Sequence, residues 1–198
     1  MNTPILILAA GASSRMGRSK QMLVVDGEPL LVHSVKVALE TGADVFVVIG
    51  ANADAHQALL SRLPIYQVDH PQWKNGMGSS LKAGLKEILV ANPSVTGVLV
   101  MLCDQPKVTR AHLENLLNTA NRSDKEIVAS QYNHTFGVPA IFKKAMFSSL
   151  LVLGDEAGAA KLIRSAPDNV EAVDFPDGSI DLDTPDDLAR YTAGPGLQ

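Results

Sequence analysis

The chain has one cysteine, Cys103, and five histidines, none of them in an H-E-x-x-H pair. It therefore encodes neither an internal disulfide framework nor a zinc site of recognisable spacing. A lone cysteine fits a reducing compartment, and the expected location is cytoplasmic. Charged residues are only 19% of the chain and the net charge is -4, which leaves little for a general basic face, so no nucleic-acid partner is expected. No apolar run approaches the ~18 residues that cross a bilayer, and the opening MNTPILILAAG lacks the basic start and cleavage region of a signal peptide. No membrane partner is expected either. Two familiar phosphate cradles are also missing. The spacing after Gly11 breaks the Walker A pattern, and Ser13 stands where G-x-G-x-x-G needs its second glycine.

What is present is a 46% hydrophobic chain of 198 residues, long enough for one domain with a real core and cramped for two. The expectation is a single domain over 1–198, with 193–198 (AGPGLQ from 193) a frayed tail. Short apolar runs alternate with amphipathic stretches. Strands are predicted at 5–8, 45–49, 65–68, 98–102, 127–130, 139–142 and 170–173. Helices are predicted at 29–40, 53–62, 79–90, 109–119 and 158–164, and from Thr184. Pro29 is placed near the first turn of its helix, where a missing N–H costs nothing. This alternation predicts an α/β fold, and the unbroken apolar run VLVML at 98–102 predicts a parallel strand covered on both faces. In such sheets ligands bind beyond the carboxyl ends of the strands, so the segments directly after the strands are the informative ones.

After the first strand comes LAAGASSRMGRSK, residues 8–20, with two glycines, three serines, three cations and no carboxylate. Small residues let backbone N–H groups approach an anion, and Arg15, Arg18 and Lys20 add charge where no acid competes. At ~4 Å and an effective dielectric of ~20, each cation–phosphate contact is worth about 4 kcal/mol before desolvation. The alternative is an exposed polar loop joining strand to helix. After VLVML comes Cys103-Asp104-Gln105-Pro106, where Asp104 either binds a cation or forms the turn. Asp181 and Asp183, two apart in an extended segment, share a face and could complete a metal site. Alternatively, Asp183 or Thr184 caps the helix that Pro185 begins. The serines of Asn75-Gly76-Met77-Gly78-Ser79-Ser80 suit a base or ribose, or a helix cap. Cys103 reads as small core filling and Trp73 as a loop anchor.

The run L-A-A-G-x-S-x-R-M-G-x-x-K at Leu8 to Lys20 resembles the opening signature of nucleotidyltransferases built on the nucleoside-triphosphate transferase variant of the Rossmann fold. Within them it is most similar to the molybdenum cofactor cytidylyltransferases and guanylyltransferases. The likeness continues in order through HPQWKNGMGSSLKAG (70–84), LCDQP (102–106), FGVPAIF (136–142), GDEAGAAKL (154–162) and DLDTPDDL (181–188). It implies a three-layer α/β/α fold with a mostly parallel central sheet. It also implies that Leu8, Ala9, Ala10, Gly11 and Ser13 line the nucleotide while Arg15 and Lys20 neutralise its phosphates, with Arg18 a lesser candidate. Gly78, Ser79 and Ser80 would meet base and ribose; Asp104, with Asp183 and Asp181, would hold Mg²⁺. Arg15, Lys20 and Asp104 are thus the implied catalytic residues.

The implied reaction is in-line attack of the terminal phosphate of a molybdopterin-type acceptor on the α-phosphorus of CTP, releasing pyrophosphate. Ala10, where guanylyl relatives carry glycine, favours CTP over GTP by crowding the purine. A molybdoenzyme or its maturation factor would be a further partner. Guanylyl transfer, a sugar- or alcohol-phosphate cytidylyltransferase, and a non-catalytic cofactor chaperone are the alternatives. Two departures fall in the acceptor half: Val138 replaces the histidine of Gly-His-Pro, and GDEAGAAKL is one residue longer than the commoner form.

Overall fold

The computed structural model describes residues 2–193, apart from the Arg15 side chain. Along the chain run β1 (Ile5–Leu8), β2 (Val24–Val25), β3 (Glu28–Pro29), α1 (Leu30–Leu39), β4 (Val45–Ile49), α2 (Ala53–Leu60), β5 (Tyr66–Asp69) and α3 (Met77–Ala91). Then come β6 (Gly97–Leu102), α4 (Arg110–Arg122), β7 (Ile127–Tyr132), β8 (Thr135–Lys143), α5 (Phe147–Leu151), α6 (Ala159–Ser165), β9 (Val170–Asp174) and α7 (Pro185–Ala193).

Seven of the strands form one sheet in the order β5-β4-β1-β6-β8-β7-β9. The pairs β5–β4, β4–β1, β1–β6 and β7–β9 are parallel, and β8 alone runs against both neighbours. Side chains alternate across the pleat. Ile5 and Ile7 of β1 pack under α1, α2 and α4 with Leu31, Leu60 and Leu116. Leu6 and Leu8 face the other way, onto α3, α5 and α6 with Leu81, Leu85 and Ile163. Both faces are covered, which is why these strands read as continuous apolar runs. Each fully buried Leu or Ile contributes about 1.5–3 kcal/mol. A third, smaller cluster of Met16, Leu23, Val25, Leu30 and Leu182 sits over the strand ends.

Two local expectations need correction. Pro29 lies outside the helix: its ψ of 136° is extended and it ends the small β2–β3 hairpin, which the sequence did not predict. The predicted strands at 127–130 and 139–142 are longer, because Asn133 and His134 both take positive φ (47° and 58°) and turn β7 directly into β8. That hairpin turn is ordinarily signalled by Asn-Gly; with histidine second, the signal is absent. Residues 194–198 of the expected frayed tail lie outside the described residues.

Candidate active site

The ends of β1 and β6 and the segment before α7 converge on one charged cluster. Lys20 Nζ donates to Asp104 Oδ2 and, at 2.9 Å, to Asp183 Oδ1. Burial works against the Lys20 charge, but Asp104 and Asp183 more than offset it and raise its pKa, so the ammonium is fixed. Asp104 is brought there by the strand VLVML. Asp183 is brought there because buried Leu182 anchors its segment in the third cluster while the Leu182 amide donates to the Asp104 carbonyl at 2.9 Å. Thr184 and Asp187 settle the capping question. The Asp187 amide donates to Thr184 Oγ1 at 3.2 Å, and the Thr184 amide to Asp187 Oδ2 at 2.8 Å, a reciprocal cap that leaves the Asp183 carboxylate for Lys20.

The acids have the character of a hard-cation site. Asp104 Oδ1 is buried with no hydrogen-bond partner among the described residues, an arrangement that is costly unless a ligand completes it. The Asp181 carboxyl is pushed up to about 6, first by partial burial and then by the neighbouring charges of Asp104 and Asp183, with Lys20 and Gln105 pulling it back. Among the described residues, no three His, Cys, Asp or Glu side chains are gathered as a closed metal cage. Oxygen ligands from one or two carboxylates, with the remaining positions left to substrate and water, are how Mg²⁺ is usually held. The residues present fit such an ion.

The glycine-rich loop over β1 is shaped from within. Ser13 adopts the left-handed region at φ 55°, a conformation that costs about 1–3 kcal/mol and persists only where its surroundings enforce it. They do: its hydroxyl donates to Gln21 Oε1 at 3.0 Å and accepts from the Lys20 amide at 3.1 Å. The Ser13 hydroxyl, expected to face a nucleotide, is thus engaged by the loop itself. Leu8, Ala9 and Ala10 are buried, while Gly11 is open. The Ala10 methyl packs in the core face of Leu8 and Leu81 and does not stand free to crowd a base. Arg18 is exposed and pairs with no acid among the described residues; with Met22, Val24 and Leu188 it lines a groove. The Arg15 side chain lies outside the described residues.

The second loop differs. The Ser79 amide donates to the Asp155 carbonyl at 3.1 Å, its hydroxyl meets His70 Nε2 at 2.8 Å, and the Ser80 hydroxyl returns to Gly76 O at 3.4 Å. Neither serine caps α3, whose capping position is Gly76. A methyl at Gly78 would stand 2.3 Å from the Gly154 carbonyl oxygen, so glycine is required there for close packing. The 154–158 segment therefore lies directly on this loop.

Three residues that sequence reasoning passed over matter here: Gln21, Ser19 and His56. Ser19 donates to Gln21 Oε1 at 2.9 Å and contacts His56 Nε2 at 3.1 Å, from beneath the loop. A polar Gln21 leading into Met22-Leu23 was the available signal. Cys103 is buried and its thiol is pushed up to about 12 by burial, so it is no nucleophile. Trp73 packs on Gly50.

A mostly parallel α/β sheet, a glycine-rich loop after its first strand and an acid–lysine cluster at the strand ends define a nucleotidyltransferase-type fold. Comparison with known proteins is specific: residues 5–170 match the MobA-like NTP transferase domain, and the chain belongs to that family. It is 32% identical to nicotine blue oxidoreductase of Paenarthrobacter nicotinovorans, covering 93% of this chain and 94% of that one. It is 29% identical to purine catabolism protein PucB of Bacillus subtilis (strain 168), covering 96% of each. Over 58% of this chain and 56% of the other, it is 33% identical to a probable molybdenum cofactor guanylyltransferase of Synechococcus elongatus. Among solved structures, Rv0371c of Mycobacterium tuberculosis H37Rv superposes with a TM-score of 0.82 at 28% identity, covering 96% of this chain and 98% of that one. The same protein in complex with manganese superposes at 0.78 with 25% identity, covering 98% and 100%. No helix among the described residues is long and apolar enough to cross a membrane.

Proposed function

We propose that residues 1–198 act as one domain that transfers CMP from CTP to the terminal phosphate of a molybdopterin-type acceptor and releases pyrophosphate. The observation that carries this reading is the cluster of Lys20, Asp104 and Asp183, with Asp104 Oδ1 unpartnered, placed against the glycine-rich loop. An acceptor phosphate is largely ionised near neutral pH and needs no strong general base, so the main obstacle is repulsion between two polyanions. Lys20 and Arg15 would oppose that repulsion, and the exposed backbone at Gly11 would cradle the phosphates. Asp104 and Asp183 would hold Mg²⁺, with Asp181 beside them and not as a third ligand, and the ion would supply further positive charge at the phosphates. Gly78, Ser79 and Ser80 would shape the wall near base and ribose.

Ala10 in L-A-A-G favours CTP; since its methyl is buried, it would act through the path of the loop. The relatives named guanylyltransferases support GTP as a second reading. The relative named an oxidoreductase does not favour hydride transfer here, because Ser13 breaks the dinucleotide fingerprint. A cytoplasmic enzyme delivering its product to a molybdoenzyme or its maturation factor fits this chemistry.

The test is pyrophosphate release from each of four nucleoside triphosphates, with and without a molybdopterin-type acceptor and with Mg²⁺ or Mn²⁺, alongside an assay of NAD(P)H oxidation. Acceptor-dependent release with CTP supports the proposal. Release with GTP alone moves it to the second reading, and no release from any of the four overturns it.

A further inference from the structure

The strongest unassigned feature is Gln21, a side chain that no phosphate or metal role requires. It is 1% exposed and makes four hydrogen bonds, all within the first loop. Its Nε2 donates to the carbonyls of Ala9 at 3.1 Å and Gly11 at 2.9 Å. Its Oε1 accepts from the hydroxyls of Ser13 at 3.0 Å and Ser19 at 2.9 Å. Ser19 in turn meets His56, which is fully buried on α2. With Ser19 donating to Gln21, its oxygen accepts from the imidazole, which requires the Nε2–H tautomer.

The direction of these bonds matters more than their number. In a trans peptide the C=O of one residue and the N–H of the next point opposite ways. Drawing the Ala9 and Gly11 carbonyls inward onto Gln21 therefore turns the Ala10 and Ala12 amides away from it. Neither amide has an acceptor among the described residues. The Ser13 bonds hold the left-handed residue between them and fix the Lys20 backbone, and with it the root of the lysine that reaches Asp104 and Asp183.

We infer that Gln21 is a positioning residue for the triphosphate: an internal clamp that sets the outward direction of the loop amides and the placement of Lys20 before nucleotide arrives. This rests on the nucleotidyl-transfer reading for its ligand, but the loop geometry can be tested apart from it. A side chain that only filled space would be replaceable by an apolar one of equal length. A clamp is not.

The experiment compares wild type with Gln21→Met, which keeps length and removes all four bonds. Gln21→Glu, which keeps the acceptor oxygens but loses both donors to the carbonyls, serves as the second variant should Gln21→Met not fold. Each is measured by thermal unfolding, by calorimetric titration with CTP and with GTP in the presence of Mg²⁺, and by hydrogen exchange at the Lys20 amide, which is bonded to the Ser13 hydroxyl that Gln21 holds. The clamp predicts a nucleotide Kd at least tenfold weaker in the folded variants and faster exchange at the Lys20 amide. A lowered Tm with Kd within twofold of wild type would show a merely structural role and overturn the inference. Should wild type bind neither nucleotide, the functional reading falls, and the clamp is judged on exchange: an unchanged rate at the Lys20 amide refutes it, a faster rate sustains it.

Discussion

Two loops of this chain share a glycine–serine composition and use it for opposite ends. In the first, residues 9–20, a methyl added at Gly11 or Gly17 would meet nothing within 4 Å, and the loop is held by side chains reaching into it from below. In the second, residues 75–80, methyls at Gly76 and Gly78 would run into the Asp155 and Gly154 carbonyls at 2.5 and 2.3 Å. Its glycines exist to bring a helix start against the 154–158 backbone. Each loop also rests on a buried histidine bonded to a serine, His56 with Ser19 and His70 with Ser79. The lesson is that glycine content alone does not identify a ligand cradle. An open cradle has space around its glycines, and a packing joint has none.

The largest expected effect sharpens the assignment of chemistry to the first loop. Lys20→Met should lower pyrophosphate release about 10³-fold, roughly 4 kcal/mol of transition-state stabilisation, while circular dichroism shows an intact fold. Turnover within tenfold of wild type would remove Lys20 from the reaction. Asp104→Asn should weaken Mn²⁺ binding, measured by electron paramagnetic resonance, in the protein without nucleotide; an unchanged Kd would take Asp104 out of the metal site.

Next comes the contrast itself. Gly78→Ala should destabilise the fold by about 1–3 kcal/mol through overpacking against backbone, read as a Tm several degrees lower. Gly11→Ala should leave stability within about 0.5 kcal/mol and instead weaken nucleotide binding. If both variants lose stability equally, the distinction between cradle and joint is wrong.

The smallest effect concerns acid. Burial lowers the pKa of both His56 and His70, for His70 against the opposing charges of Asp69 and Asp155. Below the ordinary histidine pKa of about 6.5 the unfolded chain takes up protons that the folded chain resists, so each contributes stability that is present at neutral pH and is lost as pH falls. Unfolding temperatures between about pH 8 and pH 5 should fall with acid, less steeply in His56→Gln and in His70→Gln. A slope unchanged in both variants would show that neither imidazole is held neutral by the fold.

Much of this was legible in the chain, for identifiable reasons. The strands buried on both faces announced themselves as apolar runs at 5–8, 45–49 and 98–102, and Thr109 was readable as the cap that accepts from the His112 amide. Asp104 stood out because a carboxylate after such a run has few structural reasons to be there. The turn at Asn133–His134 escaped because its conformation is imposed by pairing between the two strands it joins. Gln21 escaped because a buried amide looks like any surface glutamine until its partners, three of the four eight to twelve residues away, are folded around it. The sequence also left the helix cap divided between Asp183 and Thr184. The reciprocal bonds of Thr184 and Asp187 assign it to Thr184 in three dimensions.

By itself, the order of residues determined the alternation of elements, the two-sided burial of the parallel strands, and which short segments carry charge at strand ends. Those come from local periodicity and from the hydrophobic effect, which act on the pattern of side chains along the chain. Only the tertiary structure decided which charges meet, which hydroxyls turn inward and which glycines are crowded. Ion pairs, buried hydrogen bonds and close contacts depend on distances between residues far apart in sequence, and nothing in a linear pattern fixes those distances until the sheet has set its strand order.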